Sequence, residues 1–262
     1  MLKYINNMKF SSYEDLIENF HLDIPDNFNF AYDIFDKIAE KTPDRLAMVW
    51  CDDNGGEKQF TFGELREQCD RTANYLASLG IRKGDPVMLI LKGRYEFWFC
   101  ILALHKLGAI CIPATHLLTT KDIVYRNNAA DIKMIISVGE DQVVQHVEKS
   151  EASSPSLQHK LMVGGSREGW LDFHQGINNS APHFERTSEN MTSNDDILLL
   201  YFTSGTTGQP KMVQHNFTYP LGHVVTAKFW QNVMDGGLHY TVADTGWAKA
   251  VWGKIYGQWI CG

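Results

Sequence analysis

Short, nearly continuous apolar runs, set apart by helix-length segments, constrain this chain more than any other feature. Pro86–Leu91, Ala109–Pro113, Lys133–Val138 and Ile197–Phe202 lack the in-out alternation of a strand with one wet face. Such strands must be covered on both faces, which parallel strands achieve because their crossover connections lay helices on the sheet. The connections have helical character. Tyr95–Leu107 reads as a helix stopped at Gly108, and Thr119–Ala130 as another. The expectation is an α/β fold with doubly wound, largely parallel sheets flanked by helices.

The rest of the chain adds detail. Residues 1–30, rich in Asn, Asp and Phe, read as an irregular arm or short helices. From Ala31 a helical period places Ile34, Phe35 and Ile38 on one face, with Pro43 at the exit. Leu46–Cys51 and Lys58–Thr61 flank Asn54-Gly55-Gly56 as a hairpin. Thr61 and Glu64 have capping-box spacing and open a helix closed by Gly80. Glu151–Pro155 and Asn178–Asp196 are polar and aperiodic, as surface loops are, and Leu161–Gly165 fits a strand. His215 is expected at a helix start. Trp252 and Trp259, seven apart, are expected on one helical face as core residues, and the sequence stops amid this apolar stretch, as a fragment would.

Composition excludes several classes. A net charge of −7 disfavours non-specific binding to nucleic acid or anionic membrane. The five cysteines form no C-x-x-C pair and suit reduced core thiols better than disulfides or zinc. Met1–Phe10 has no apolar signal-peptide core, and the longest apolar run, Phe97–Leu104, is too short for a transmembrane segment. A cytoplasmic protein is expected.

The chemistry concentrates after the last apolar strand, in Thr203-Ser204-Gly205-Thr206-Thr207-Gly208-Gln209-Pro210-Lys211. Gly205 and Gly208 allow backbone conformations that turn several N–H groups into one concavity, an anion nest. The hydroxyls of Thr203, Ser204, Thr206 and Thr207 add donors, and Lys211 supplies a point charge after a stiffening proline. Charge-assisted contacts of this kind contribute roughly 1.5–3 kcal/mol each. A flexible Ser/Gly/Thr linker is the plain alternative, but linkers seldom follow an apolar strand so abruptly. The spacing does not fit a Walker P-loop, and no G-x-G-x-x-G dinucleotide fingerprint is present.

Tyr201–Lys211, YFTSGTTGQPK, resembles the signature loop of the adenylate-forming superfamily: acyl-CoA synthetases, luciferases and peptide-synthetase adenylation domains. Leu91–Arg126 and Ala243–Trp247, ADTGW, are similar to the medium-chain and acetyl-CoA synthetase-like branch. The wider superfamily often has glycine after the loop lysine, where this chain has Met212. The resemblance runs from about Phe30 to the last residue and implies a partial large AMP-binding domain over 31–262, behind an arm at 1–30. It also implies that the rest of the large domain and a small C-terminal domain are absent from this sequence.

The implied reaction has two steps. A carboxylic acid and Mg2+-bound ATP give acyl-adenylate and pyrophosphate, and coenzyme A then displaces AMP. The implied phosphate-binding residues are Thr203, Ser204, Gly205, Thr206, Thr207, Gly208 and Lys211, with Lys211 catalytic. Trp247 is implied to line the acyl pocket, although the residues alone leave core packing open. A fragment of this kind is expected to be inactive alone. Two alternatives stand beside it: a peptide-synthetase adenylation domain, disfavoured because Ala248–Gly262 has no acidic residue, and a non-catalytic nucleotide-binding module.

Overall fold

The computed structural model describes residues 4–7, 9–205 and 208–262. The first elements are helix α1 (Tyr13–Asn19) and a wide π-type turn at Ala31–Phe35 that runs on into α2 (Asp36–Lys41). The hairpin follows as β1 (Leu46–Cys51) and β2 (Glu57–Thr61). Thr61 then caps α3 (Phe62–Ser78): its hydroxyl accepts from the Glu64 N–H, and the Glu64 carboxylate accepts from the Thr61 N–H.

The alternating segment forms β3 (Pro86–Ile90), α4 (Glu96–Leu107), β4 (Ile110–Pro113), α5 (Thr120–Ala129), β5 (Met134–Val138), α6 (Asp141–Ser150) and β6 (His159–Val163). A short β7 (Leu171–Asp172) and α7 (Phe173–Asn178) precede a long irregular stretch. After it come β8 (Ile197–Thr203), β9 (Lys211–Asn216), α8 (Tyr219–Val225), α9 (Ala248–Lys254) and α10 (Tyr256–Cys261).

Among the described residues seven strands form one sheet in the order β7-β6-β5-β3-β4-β8-β9. Every pairing is parallel except β8 with β9. The chain steps one way from β3 to β4, then back past β3 to β5 and β6. Right-handed crossovers therefore put α4 on one face and α5 and α6 on the other. The packing agrees: α4 lies against α3, and α5 against α6. The sheet is doubly wound, as the apolar strands imply.

Three expectations need correction. His215 does not open a helix; it lies on β9, the antiparallel edge strand. Trp252 and Trp259 do not share a helical face, because the helix breaks at Ile255 (φ −120°, ψ −70°) between α9 and α10. Trp259 stacks in the core on Phe35, with ring centres 5.3 Å apart, while half-buried Trp252 lies on His223. The cysteines are all free and four are buried, but Cys51 is exposed at the end of β1.

Helix α4 is buried along its whole length, so its polar side chains must find partners inside the protein. The Lys106 ammonium donates to Asp36 on α2 (2.7 and 2.9 Å) and to Asp70 on α3 (2.5 Å), tying three helices together. His105 meets the Tyr256 hydroxyl at 2.7 Å. Glu96, in the first turn, accepts a bidentate pair from Arg94 (2.9 and 3.0 Å) and a bond from His174 on α7 (3.0 Å).

Burial disfavours the Glu96 charge, but the bonds from His174, Arg94 and its own backbone outweigh it and hold the carboxyl down at about 2, against an ordinary value of 4.5. A depressed carboxyl contributes stability above its unfolded value and loses it as pH falls towards the folded one. The stability advantage of wild type over Glu96→Gln is therefore expected to be full above pH 4.5 and to fade between there and about 2. Its size is at most about 3 kcal/mol at 1.36 kcal/mol per pH unit. Urea unfolding of the intact protein at pH 6 and pH 3 checks this, and an equal difference at both would contradict it.

Candidate functional site

The winding of the sheet positions the site. Strands β3 and β4 send their following loops to opposite faces, which opens a crevice at their carboxyl ends, where α/β sheets hold ligands. Strand β8 lies beside β4 with Cys111 level with Leu199. Four residues further on stand Thr115, just past the end of β4, and Thr203, the last residue of β8, so both connections leave the sheet at the same edge.

The Ser/Thr/Gly segment is a hairpin connection. Thr203, the last residue of β8, is paired with Lys211, the first of β9. Thr203, Ser204, Gly208 and Lys211 are exposed, so their donors face outward at the sheet edge. The two glycines answer different demands. Gly208 takes φ +86°, a left-handed conformation with nothing near its missing Cβ. Gly205 has no such φ; a Cβ there would sit 2.3 Å from the Gln209 carbonyl oxygen, so close approach of backbone excludes a side chain. Expected site residues Thr206 and Thr207 lie outside the described residues.

Helix α5 buttresses this hairpin from below. The Tyr125 hydroxyl donates to the Pro210 carbonyl (2.8 Å), and the Arg126 guanidinium lies 5.0 Å from the centre of the Phe202 ring. Neither contact was foreseeable from the sequence, where Tyr125 and Arg126 read only as members of a helix. His215 packs tilted against Tyr219, with ring centres 4.0 Å apart, and burial pushes its imidazole below the ordinary value.

A second element crosses the crevice. The segment Ala243–Trp247 runs over the ends of β3 and β4. The Gly93 N–H, in the loop after β3, donates to the Thr245 hydroxyl (3.0 Å). Gly246 lies so close to the loop after β4 that a Cβ would stand 2.4 Å from the Thr115 nitrogen. Lys254 on α9 donates to the Ala243 carbonyl (2.8 Å). Trp247 then starts α9 with its side chain 62% exposed, so it is not a core residue. The structure thus gathers the hairpin loop and the strap that carries Trp247 at one end of one sheet. Among the described residues no group of three or more His, Cys, Asp or Glu side chains could hold a metal ion. No helix among them is long and apolar enough to cross a membrane.

Residues 35–258, most of the chain and both site elements, match the family model described as AMP-binding enzyme. The chain belongs to the AMP-binding enzyme family. It is 37% identical over 247 residues to "Acyl-coenzyme A synthetase ACSM5, mitochondrial" of Rattus norvegicus, covering 91% of this chain and 42% of that protein. It is 35% identical over 261 residues to "Acyl-coenzyme A synthetase ACSM3, mitochondrial" of Mus musculus, covering 97% of this chain and 44% of the relative. Its fold is similar to that of the anthranilate CoA ligase AuaEII solved with anthranoyl-AMP, with TM-score 0.78 and 25% identity over 92% of this chain and 45% of that one. The Brucella canis acyl-CoA synthetase shares the fold, with TM-score 0.73 and 23% identity over 89% of this chain and 42% of that one. The chain therefore spans less than half the length of the curated relatives it matches.

The different roles of the two loop glycines generate opposite responses to substitution. Gly208→Ala is expected to cost about 1–2 kcal/mol from left-handed strain, with Gly208→Asn milder because Asn tolerates that region. Gly205→Ala should cost about 1–3 kcal/mol by overpacking, and Gly205→Asn more. Equilibrium urea unfolding of the four variants in the intact protein checks the crossing order. The same rank of Ala and Asn at both positions would contradict it.

Proposed function

We propose that this chain is the front of an acid–thiol ligase that activates a carboxylic acid, of the fatty-acid type or a related one, with ATP. The carboxylate oxygen attacks the α-phosphorus, the bond to the bridging oxygen breaks, and pyrophosphate leaves with that electron pair. The thiol of coenzyme A then attacks the acyl carbon, forming the thioester and releasing AMP. The observation that carries this reading is the hairpin loop, its donors and Lys211 facing outward at the edge that the Trp247 strap also crosses. Its support from relatives is that those named above are acyl-CoA synthetases and a CoA ligase holding an acyl-adenylate.

In this reading Thr203, Ser204, Gly205, Thr206, Thr207 and Gly208 hold the β- and γ-phosphates through hydroxyl and backbone donors. Lys211 neutralises charge that develops on the departing pyrophosphate, which makes it the catalytic residue of this part. Such transfers are driven by positioning and preorganised electrostatics more than by covalent help. Trp247 forms a wall for the acyl group. The described side chains offer no metal cluster, so we assign magnesium no ligand in this chain and route no step through it. We further propose that residues 31–262 are the front of the large AMP-binding domain, behind an arm at 1–30. The relatives named are mitochondrial, which leaves the cytoplasmic expectation without support from them.

Position separates the two half-reactions. Once acyl-adenylate exists, the phosphates that Lys211 contacts have left. In the intact protein Lys211→Ala is expected to slow adenylate formation by about 10²–10³ while sparing thioester formation from supplied acyl-adenylate. Lys211→Arg should rescue only partly, because a planar guanidinium approaches phosphate with different geometry. Equal slowing of both steps would show that the loop does not act through pyrophosphate, and unchanged rates in both would make it a linker.

A further inference from the structure

Upstream of the strap Met234, Leu238, Tyr240 and Val242 are 67–80% exposed, while buried Thr241 among them donates to the Gly253 carbonyl (2.7 Å) and anchors the approach to Ala243. The bonds at Ala243 and Thr245 and the close approach at Gly246 tether the strap on either side of Asp244, but they leave Asp244 without a bond from the body of the sheet. Opposite it stands His116, in the loop after β4. The His116 Nδ1 is buried and has no hydrogen-bond partner, and the nearest Asp244 carboxylate oxygen lies 3.8 Å away. That distance is within ion-pair range but too long for a hydrogen bond. A buried ring nitrogen without a partner carries an uncompensated desolvation cost, and a move of the strap by about an ångström would satisfy it. Asp244 also turns its other oxygen back on the strap, accepting from the Gly246 N–H (2.9 Å). Any shift of Asp244 towards His116 is thereby passed to Gly246 and its neighbour Trp247.

We infer that His116 and Asp244 are a positioning pair that closes to seat the strap, and with it Trp247, on the carboxyl edge of the sheet. The pair touches no reacting atom in this account. It acts through Trp247, and its effect on acid selection rests on the acyl-pocket reading given above. Neighbouring contacts limit how the strap can respond. Gly246 abuts Thr115, which leaves no room for the strap to sink at that point, so a shift of Asp244 turns the backbone there and reorients the adjoining Trp247.

Two readouts in the intact protein separate the inference from the reading on which it rests. The first is the ¹⁹F resonance of Trp247 in protein labelled with 5-fluorotryptophan, assigned by its loss in Trp247→Phe. The second is the KM for a series of straight-chain carboxylic acids against the KM for ATP. His116→Ala, Asp244→Ala and the double variant are compared, with thermal midpoints to confirm folding. His116→Phe, which keeps the ring volume but removes the nitrogen, replaces His116→Ala if the latter does not fold. The expected result is the same displaced Trp247 resonance in both single variants and no further change in the double. The acid KM should rise about ten-fold and the ATP KM stay within about two-fold, the split expected when only one pocket wall moves. An unmoved Trp247 resonance in folded single variants, or effects that multiply in the double, would overturn the pair. A displaced resonance with unchanged acid KM would uphold the pair and remove Trp247 from the acyl pocket.

Discussion

Parallel strands cannot be joined by a tight turn, and this constraint governs the molecule. Each crossover must carry the chain back along a helix, and right-handedness decides which face that helix takes. Because the chain reverses its direction of travel after β4, the loops that follow β3 and β4 diverge and leave a crevice. Strand β8 joins on the far side of β4, so the hydroxyl- and glycine-rich loop after it opens at the same edge. The site is a consequence of strand order before any side chain is considered.

That arrangement needs a rigid support, and α4 supplies it. A helix buried along its whole length carries Glu96 and Lys106 because each is ion-paired, and His105 because its Nε2 meets the Tyr256 hydroxyl, its Nδ1 having no partner. Replacing a buried ion pair with apolar side chains can be neutral or better, whereas breaking one partner alone costs several kcal/mol. The Lys106–Asp36–Asp70 cluster is therefore read as a device that fixes how α2, α3 and α4 meet, more than as a source of net stability. Glu96 does similar work at the site end. Its partner Arg94 follows Gly93, whose N–H holds the strap at Thr245, so the core pairing and the site share one loop.

Much of this was legible in the sequence because it depends on local chemistry. The Thr61–Glu64 capping box, the stop at Gly108 and the largely apolar β3, β5 and β8 are short-range signals, and each appears where it is expected. The connection after β8 was recognised as a loop, but its return as β9 was not. An edge strand exposed on both faces, as Lys211–Gln214 is, shows no alternation to read. The break at Ile255 escaped for a related reason: Trp247–Cys261 is mostly apolar and aromatic on both sides of it, so no change of pattern marks a division. At the site, the need for Gly208 follows from conformational freedom and could be argued from the sequence. The need for Gly205 comes from the Gln209 carbonyl, a contact only the folded loop creates. The bond between Gly93 and Thr245, 152 residues apart, is beyond any local signal.

The central claim is that the edge formed by β3, β4 and β8 serves a reaction in which a carboxylate displaces pyrophosphate from ATP. The most direct measurement is isotope exchange between labelled pyrophosphate and ATP in the intact protein, run with and without a panel of carboxylic acids and without coenzyme A. The account predicts exchange that requires an acid, that varies with the acid, and that needs no thiol, because the first half-reaction is reversible on its own. Exchange independent of any acid would contradict it, as would ATP consumed only to ADP and phosphate.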